Sequence, residues 1–177
     1  MKTEKTRRMV GTAILAAIIV VLQSFSSYIK IFETELNLVL IPIVVGSAVY
    51  GATTGAFLGL VSAIVILLQP GTAAFYQINF FGTILTVVLK GVASGFLAGY
   101  VYEVLRSKKE WLGVYAAAAV CPIVNTAIYG LGLIAFFQGS LFGVFALFGA
   151  VNFVLEFTIN IICAPIIVRL LKALKIQ

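Results

Sequence analysis

The stretch LNLVLIPIVVGSAVYGATTGAFLGLVSAIVILL, Leu36–Leu68, is apolar almost throughout and holds no charged side chain. One transmembrane helix needs about 20 residues to cross roughly 30 Å of hydrocarbon, so this run is too long for a single crossing. Its middle, Tyr50-Gly51-Ala52-Thr53-Thr54-Gly55, offers the break. Dividing there yields a short second helix containing Pro42 and a third ending near Gln69, followed by turn chemistry at Pro70-Gly71-Thr72. Outward from this pair, a first span runs from about Met9 to Tyr28, a fourth from Asn79 to Tyr102 and a fifth from Trp111 to Phe137. After a break at Gln138-Gly139-Ser140, a sixth runs from Gly149 to Leu171. The expected fold is therefore an all-α integral membrane protein of six transmembrane helices, a single membrane domain over residues 1–177. No secretory cleavage site follows the first apolar stretch, which at about 20 residues reads as a retained helix.

Composition agrees. Of 177 residues, 62% are hydrophobic and 10% charged, against about 45–50% and about 25% in soluble domains. So few charges cannot cover that much apolar surface, and lipid must solvate most of it. The net charge of +6 comes largely from basic residues flanking spans, which fits membrane anchoring and not nucleic acid. The chain has no histidine, which removes His-based acid–base catalysis, the commonest metal ligand and the usual triads. Cys121 and Cys163 lie in separate apolar segments without CxxC spacing and read as packing residues. No enzyme activity, metal or cofactor is expected.

Lysine and arginine near span ends set orientation. The amino terminus (Lys2, Lys5, Arg7, Arg8), the loop Arg106-Ser107-Lys108-Lys109 and the tail Arg169, Lys172, Lys175 are basic. With six spans all three fall on one side, so both termini are expected in the cytoplasm. The opposite loops carry only Lys30 among basic residues, beside Glu33 and Glu35.

Gly51, Gly55 and Gly59 recur every four residues in the third span, and Gly91, Gly95 and Gly99 in the fourth. Such spacing places small residues on one helix face and permits close backbone approach, to each other or to a partner. Ala13 and Ala17 repeat the pattern on the first span.

Polar side chains at depth demand a partner or a purpose. Lys90 lies about 11 residues into the fourth span, roughly 16 Å deep at about 1.5 Å per residue. Thr83, Thr86, Lys90 and Ser94 share its helix face. Asn152, Glu156 and Asn160 form a second stripe on the sixth span, and Asn125, Thr126 and Tyr129 a third on the fifth. Lys90, Asn125 and Asn160 come out near the midplane, with Thr83, Tyr129, Asn152 and Glu156 on its outer side. A polar cavity open outward and closed inward accommodates them all. Lys90 and Glu156 also fit a buried ion pair tying two helices. Tyr76, Gln77 and Asn79 are placed to form a lid, whereas Gln23 and Asn37 sit near outer span ends, within reach of interface water.

The pattern from Ile41 to Gly59, IPIVVGSAVYGATTGAFLG, resembles the second-to-third helix signature of the substrate-binding S components of energy-coupling factor (ECF) transporters. Lys90-Gly91-Val92-Ala93-Ser94-Gly95-Phe96-Leu97-Ala98-Gly99 resembles their fourth-helix signature. Thr53 stands where many members carry proline. The resemblance extends over nearly the whole chain and implies a multi-pass protein of the bacterial plasma membrane that captures a vitamin or precursor near the outer face. It further implies partners, a transmembrane coupling subunit and two cytoplasmic ATPase subunits, with Ala13 and Ala17 matching the small-residue motif that meets the coupling subunit. The chain holds no GxxxxGK[ST] phosphate loop, so ATP hydrolysis would fall to another protein. Cys121-Pro122-Ile123-Val124-Asn125-Thr126 resembles the fifth helix of pantothenate-type members. On that reading Lys90 meets the carboxylate, and Asn125, Asn152 and Asn160 take the amide and hydroxyls. Thr86, Tyr129 and Glu156 complete the expected substrate-binding set. The only tryptophan, Trp111, falls near the cytoplasmic edge, which argues against a large flat ring such as folate or flavin. The alternatives are an S component for another vitamin, or a stand-alone small secondary carrier. A carrier would show paired interrupted helices and an ion site, and here only Pro122 offers an interruption.

Overall fold

The computed structural model describes residues 2–26, 30–31, 34–35, 38–137 and 142–175. Asn37 and the Gln138-Gly139-Ser140 break lie outside them. Among the described residues, the regular structure is helical apart from a two-residue antiparallel pairing of β1 (Lys30–Ile31) with β2 (Thr34–Glu35). Helix α1 spans Lys2–Ser26, α2 Leu40–Tyr50 and α3 Ala52–Leu67. A 3-10 turn at Pro70–Thr72 leads into α4, Ala73–Ile78. Three long helices follow: α5 (Phe80–Arg106), α6 (Glu110–Phe136) and α7 (Phe142–Lys175).

The break expected near residue 50 is real and is made by one glycine. Gly51 has φ +93°, a region that side chains with a Cβ rarely enter. It ends α2, donating its N–H to the Ser47 carbonyl at 3.0 Å, and starts α3 by accepting from Thr54 N at 3.0 Å. Pro42 costs α2 nothing, because in the first turn its missing N–H would have no helical partner. Asn79 caps α5, accepting from Gly82 N at 2.8 Å through its side chain. Tyr76 and Gln77 lie in helix α4, not in an open loop, and α7 begins at Phe142, nearly two turns before Gly149.

Among the described residues, four segments are long and apolar enough to cross a membrane: Glu4–Ser26, Phe80–Arg106, Glu110–Phe136 and Gly149–Arg169. α3 together with the segment Pro70–Ile78, bent by 75°, is a fifth candidate, as a broken span or a re-entrant loop. The remaining apolar helix, α2, has 11 residues, which at about 1.5 Å each cover roughly half the hydrocarbon thickness. It is packed within the bundle, with Leu40, Ile43, Val44 and Ala48 buried in a core shared with Ile19, Leu58, Tyr102 and Ile167.

Lipid tails are as apolar as leucine, so helices associate here through close packing and polar contacts. The two glycine rows provide it by packing on each other. A Cβ on Gly55 would strike the Gly95 carbonyl, one on Gly59 the Gly91 carbonyl, and one on Gly99 the Cα of Ala52. At this end Arg8 donates to the Thr53 and Thr54 hydroxyls at 3.2 and 3.1 Å, and Ala52 N donates to Glu103 at 3.4 Å. The start of α1, the α2–α3 turn and the end of α5 therefore meet. At the opposite end, Gln69 Nε2 donates to the Gln23 carbonyl at 2.6 Å and Gln23 Nε2 donates to Gln69 Oε1 at 3.4 Å. Gln23 is 2% exposed: it is an interior joint between α1 and the bend after α3, not a group reaching for interface water.

Candidate binding site

A cavity of about 420 Å³, counted to its open mouth, lies between α5 and α6. Thr83, Thr86, Val87 and Lys90 line it from α5, at the i, i+3, i+4, i+7 spacing of one helix face. Tyr129, Leu133 and Phe137 line it from α6 at successive turns. Ile66, Thr72 and Phe75 close the third side from the end of α3, the 3-10 turn and α4. The cavity thus runs from Lys90 toward the helix ends that carry the Gln23–Gln69 joint.

The segment 70–78, which supplies Thr72 and Phe75 to the lining, is tied down. Thr72 Oγ1 donates to the Ile66 carbonyl at 2.6 Å and Tyr76 OH to the Leu67 carbonyl at 2.7 Å. Phe75 meets Phe137 edge to face, with ring centroids 5.4 Å apart. At the inner end, Lys90 Nζ lies 5.4 Å from the Tyr129 ring centroid, a cation–π distance. Thr86 is 6% exposed, and its hydroxyl oxygen has no hydrogen-bond partner.

Of the side chains expected to bind substrate, Lys90, Thr86 and Tyr129 line this cavity. The others gather beside it, on the α6–α7 seam. Asn125 donates to Glu156 Oε2 at 3.2 Å and Asn152 to Glu156 Oε1 at 2.6 Å. Asn160 donates to the Glu156 backbone carbonyl at 2.8 Å. Glu156 and Asn160 are buried, at 2% and 1% exposure. Ser94 turns back to the Gly91 carbonyl at 3.0 Å instead of continuing the cavity wall.

Sequence reading missed the apolar half of the lining. Leu133 and Phe137 follow Tyr129 at four-residue spacing, a signal that the chain does carry; Phe75 gave none, since its approach to Phe137 depends on the bend after α3. Chemically the site pairs a cation, hydroxyls and a phenol with aliphatic and aromatic walls, which suits a small amphiphilic molecule. Among the described residues, no three His, Cys, Asp or Glu side chains gather as a metal ion would require.

Ala13 and Ala17 are exposed on α1. They lie in an apolar stripe with Val10, Ile14, Ile18, Val21 and Phe25, each at least 42% exposed.

Residues 7–168 match the family model described as "ECF transporter, substrate-specific component". Neither the comparison with curated proteins nor that with solved structures finds a match.

Proposed function

The chain belongs to the substrate-specific component family of ECF transporters, and from that premise we propose that it is the membrane-embedded capture subunit of an ATP-driven vitamin importer, with pantothenate as cargo. Members of this family work with a module of transmembrane and ATPase subunits, here one coupling subunit and two cytoplasmic ATPases. The protein is multi-pass, and we place it in a bacterial plasma membrane with six spans, α2 being the short second one, and both termini in the cytoplasm. The clustering of Arg8, Arg106, Lys108 and Lys109 at one end supports that orientation. On that orientation the end of the cavity nearer the Gln23–Gln69 joint lies on the outer side.

The observation that carries the reading is Lys90 at the inner end of a cavity otherwise walled by hydroxyls, a phenol and apolar groups. A charged side chain on the wall of an intramembrane cavity reads as a functional group, and a cargo carboxylate is the partner that we assign to it. The stripe around Ala13 and Ala17 gives the coupling subunit a smooth apolar face on which to dock.

Calorimetry on the purified protein in detergent, against water-soluble vitamins and their precursors, tests this. Tight binding of one compound without ATP or partners is expected. Tight binding of a different vitamin would redirect the cargo while keeping the capture role. A folded protein that binds none of them would shift the assignment to a stand-alone carrier.

A further inference from the structure

Helices α5 and α6 meet beside the cavity through a reciprocal pair of contacts. A Cβ on Gly82 of α5 would come within 2.6 Å of Phe136 Cγ, and one on Gly132 of α6 would strike both branches of Thr86, Oγ1 and Cγ2. Each helix thus offers a glycine to a side chain of the other, and the two contacts lie one turn apart in antiparallel register. Of these four residues, Thr86 lines the cavity. It stands between Gly132 and the lumen.

The Thr86 hydroxyl differs from those of Thr83 and Ser94 on the same helix. Thr83 Oγ1 donates to the Asn79 carbonyl at 2.7 Å and Ser94 Oγ to the Gly91 carbonyl at 3.0 Å, the usual resort of a hydroxyl in a helix. Thr86 Oγ1 is buried and makes no such bond. A β-branched side chain in a helix has few χ1 positions. Steric fit against Gly132, in place of a hydrogen bond to the backbone, selects the one that Thr86 adopts.

We propose that Gly132 is a positioning residue for the cavity: its missing side chain leaves room for both branches of Thr86 outside the lumen, and so sets the width of the site one turn from Lys90. The inference rests on the capture reading above and adds a steric limit to it. A methyl group on residue 132 has two ways to fit. Either Thr86 turns its branches into the lumen, or α6 moves away from α5. The second also pulls Phe136 from its seat on Gly82 and disturbs a packed helix pair, whereas the first turns one side chain about one bond. The lumen then narrows by about a methyl group, and a cargo that fills it is rejected as one carbon too large.

The test is a double-mutant cycle on the full-length protein in detergent, read by calorimetry with the compound of the vitamin panel that wild type binds, pantothenate first. Thr86→Ser keeps the hydroxyl and removes Cγ2, one of the two atoms in the way. Gly132→Ala is expected to weaken binding at least tenfold in the wild-type background and less than threefold in the Thr86→Ser background. Equal losses in the two backgrounds, or no loss in the first, overturn the positioning role and leave the capture role standing. Should Gly132→Ala alone fail to fold, the double variant decides. A folded double variant within threefold of the affinity of Thr86→Ser supports the role; one that binds tenfold more weakly, or also fails to fold, overturns it. Wild type that binds nothing in the panel overturns the capture reading and this role together.

Discussion

Gly59 of α3 and Gly91 of α5 meet backbone to backbone, each positioned so that a Cβ on it would strike the carbonyl oxygen of the other. Neither side has a flexible side chain that can yield. Gly59→Ala and Gly91→Ala should each cost about 1–3 kcal/mol, the usual range for overpacking. Thermal unfolding in detergent should show a clear drop in midpoint for both. Gly130 is the control, since a methyl group there would meet nothing within 4 Å. Gly130→Ala should melt with wild type.

Lys90 lies at the inner end of the cavity, over the Tyr129 ring. Lys90→Ala should weaken a carboxylate ligand at least tenfold, about 1.4 kcal/mol or more. The corresponding uncharged amide should bind variant and wild type alike. Equal affinity of the variant for the acid, measured by calorimetry, would remove Lys90 from recognition.

The joint between Gln23 and Gln69 anchors the segment that carries Thr72 and Phe75 over the cavity. Gln69→Leu removes both hydrogen bonds to α1 and strands a buried carbonyl, a loss of about 1–3 kcal/mol. Ligand dissociation, followed by chase with unlabelled compound, should accelerate several-fold. A rate equal to that of wild type would mean that the segment does not retain cargo.

Ala13 and Ala17 lie on an exposed face and touch neither the cavity nor the α6–α7 seam. Ala13→Trp should leave calorimetric affinity unchanged while reducing uptake by cells carrying the complete transporter at least fivefold. Normal uptake at matched expression would speak against docking through this face.

Much of this architecture is legible in the sequence. Apolar runs locate the long helices, because a helix that satisfies its own backbone is the simplest way through hydrocarbon. Gly51 is legible as a break because its neighbours are continuous apolar sequence on both sides. Thr83, Thr86 and Lys90 fall on one face by helical geometry alone, and the structure puts that face on the cavity. Span ends are less legible: α7 starts at Phe142 within apolar sequence, where hydropathy marks no boundary.

What sequence alone determined was the set of helices, the main break between them and the stripe that each helix presents. Which stripes meet was decided only by tertiary structure. The glycine rows could have served a partner, yet they close on each other. Gln23 was expected near interface water and is instead 2% exposed. The polar stripe of α7 meets Asn125 across a seam, beside the cavity that Lys90 lines. The reason is the solvent. In water, an apolar face announces the side that must be buried; in lipid, the inside and the outside of a bundle are equally apolar, so hydropathy cannot orient a helix. Steric fit between small residues and hydrogen bonds between distant polar groups then settle the arrangement, and both are properties of pairs that no single helix contains.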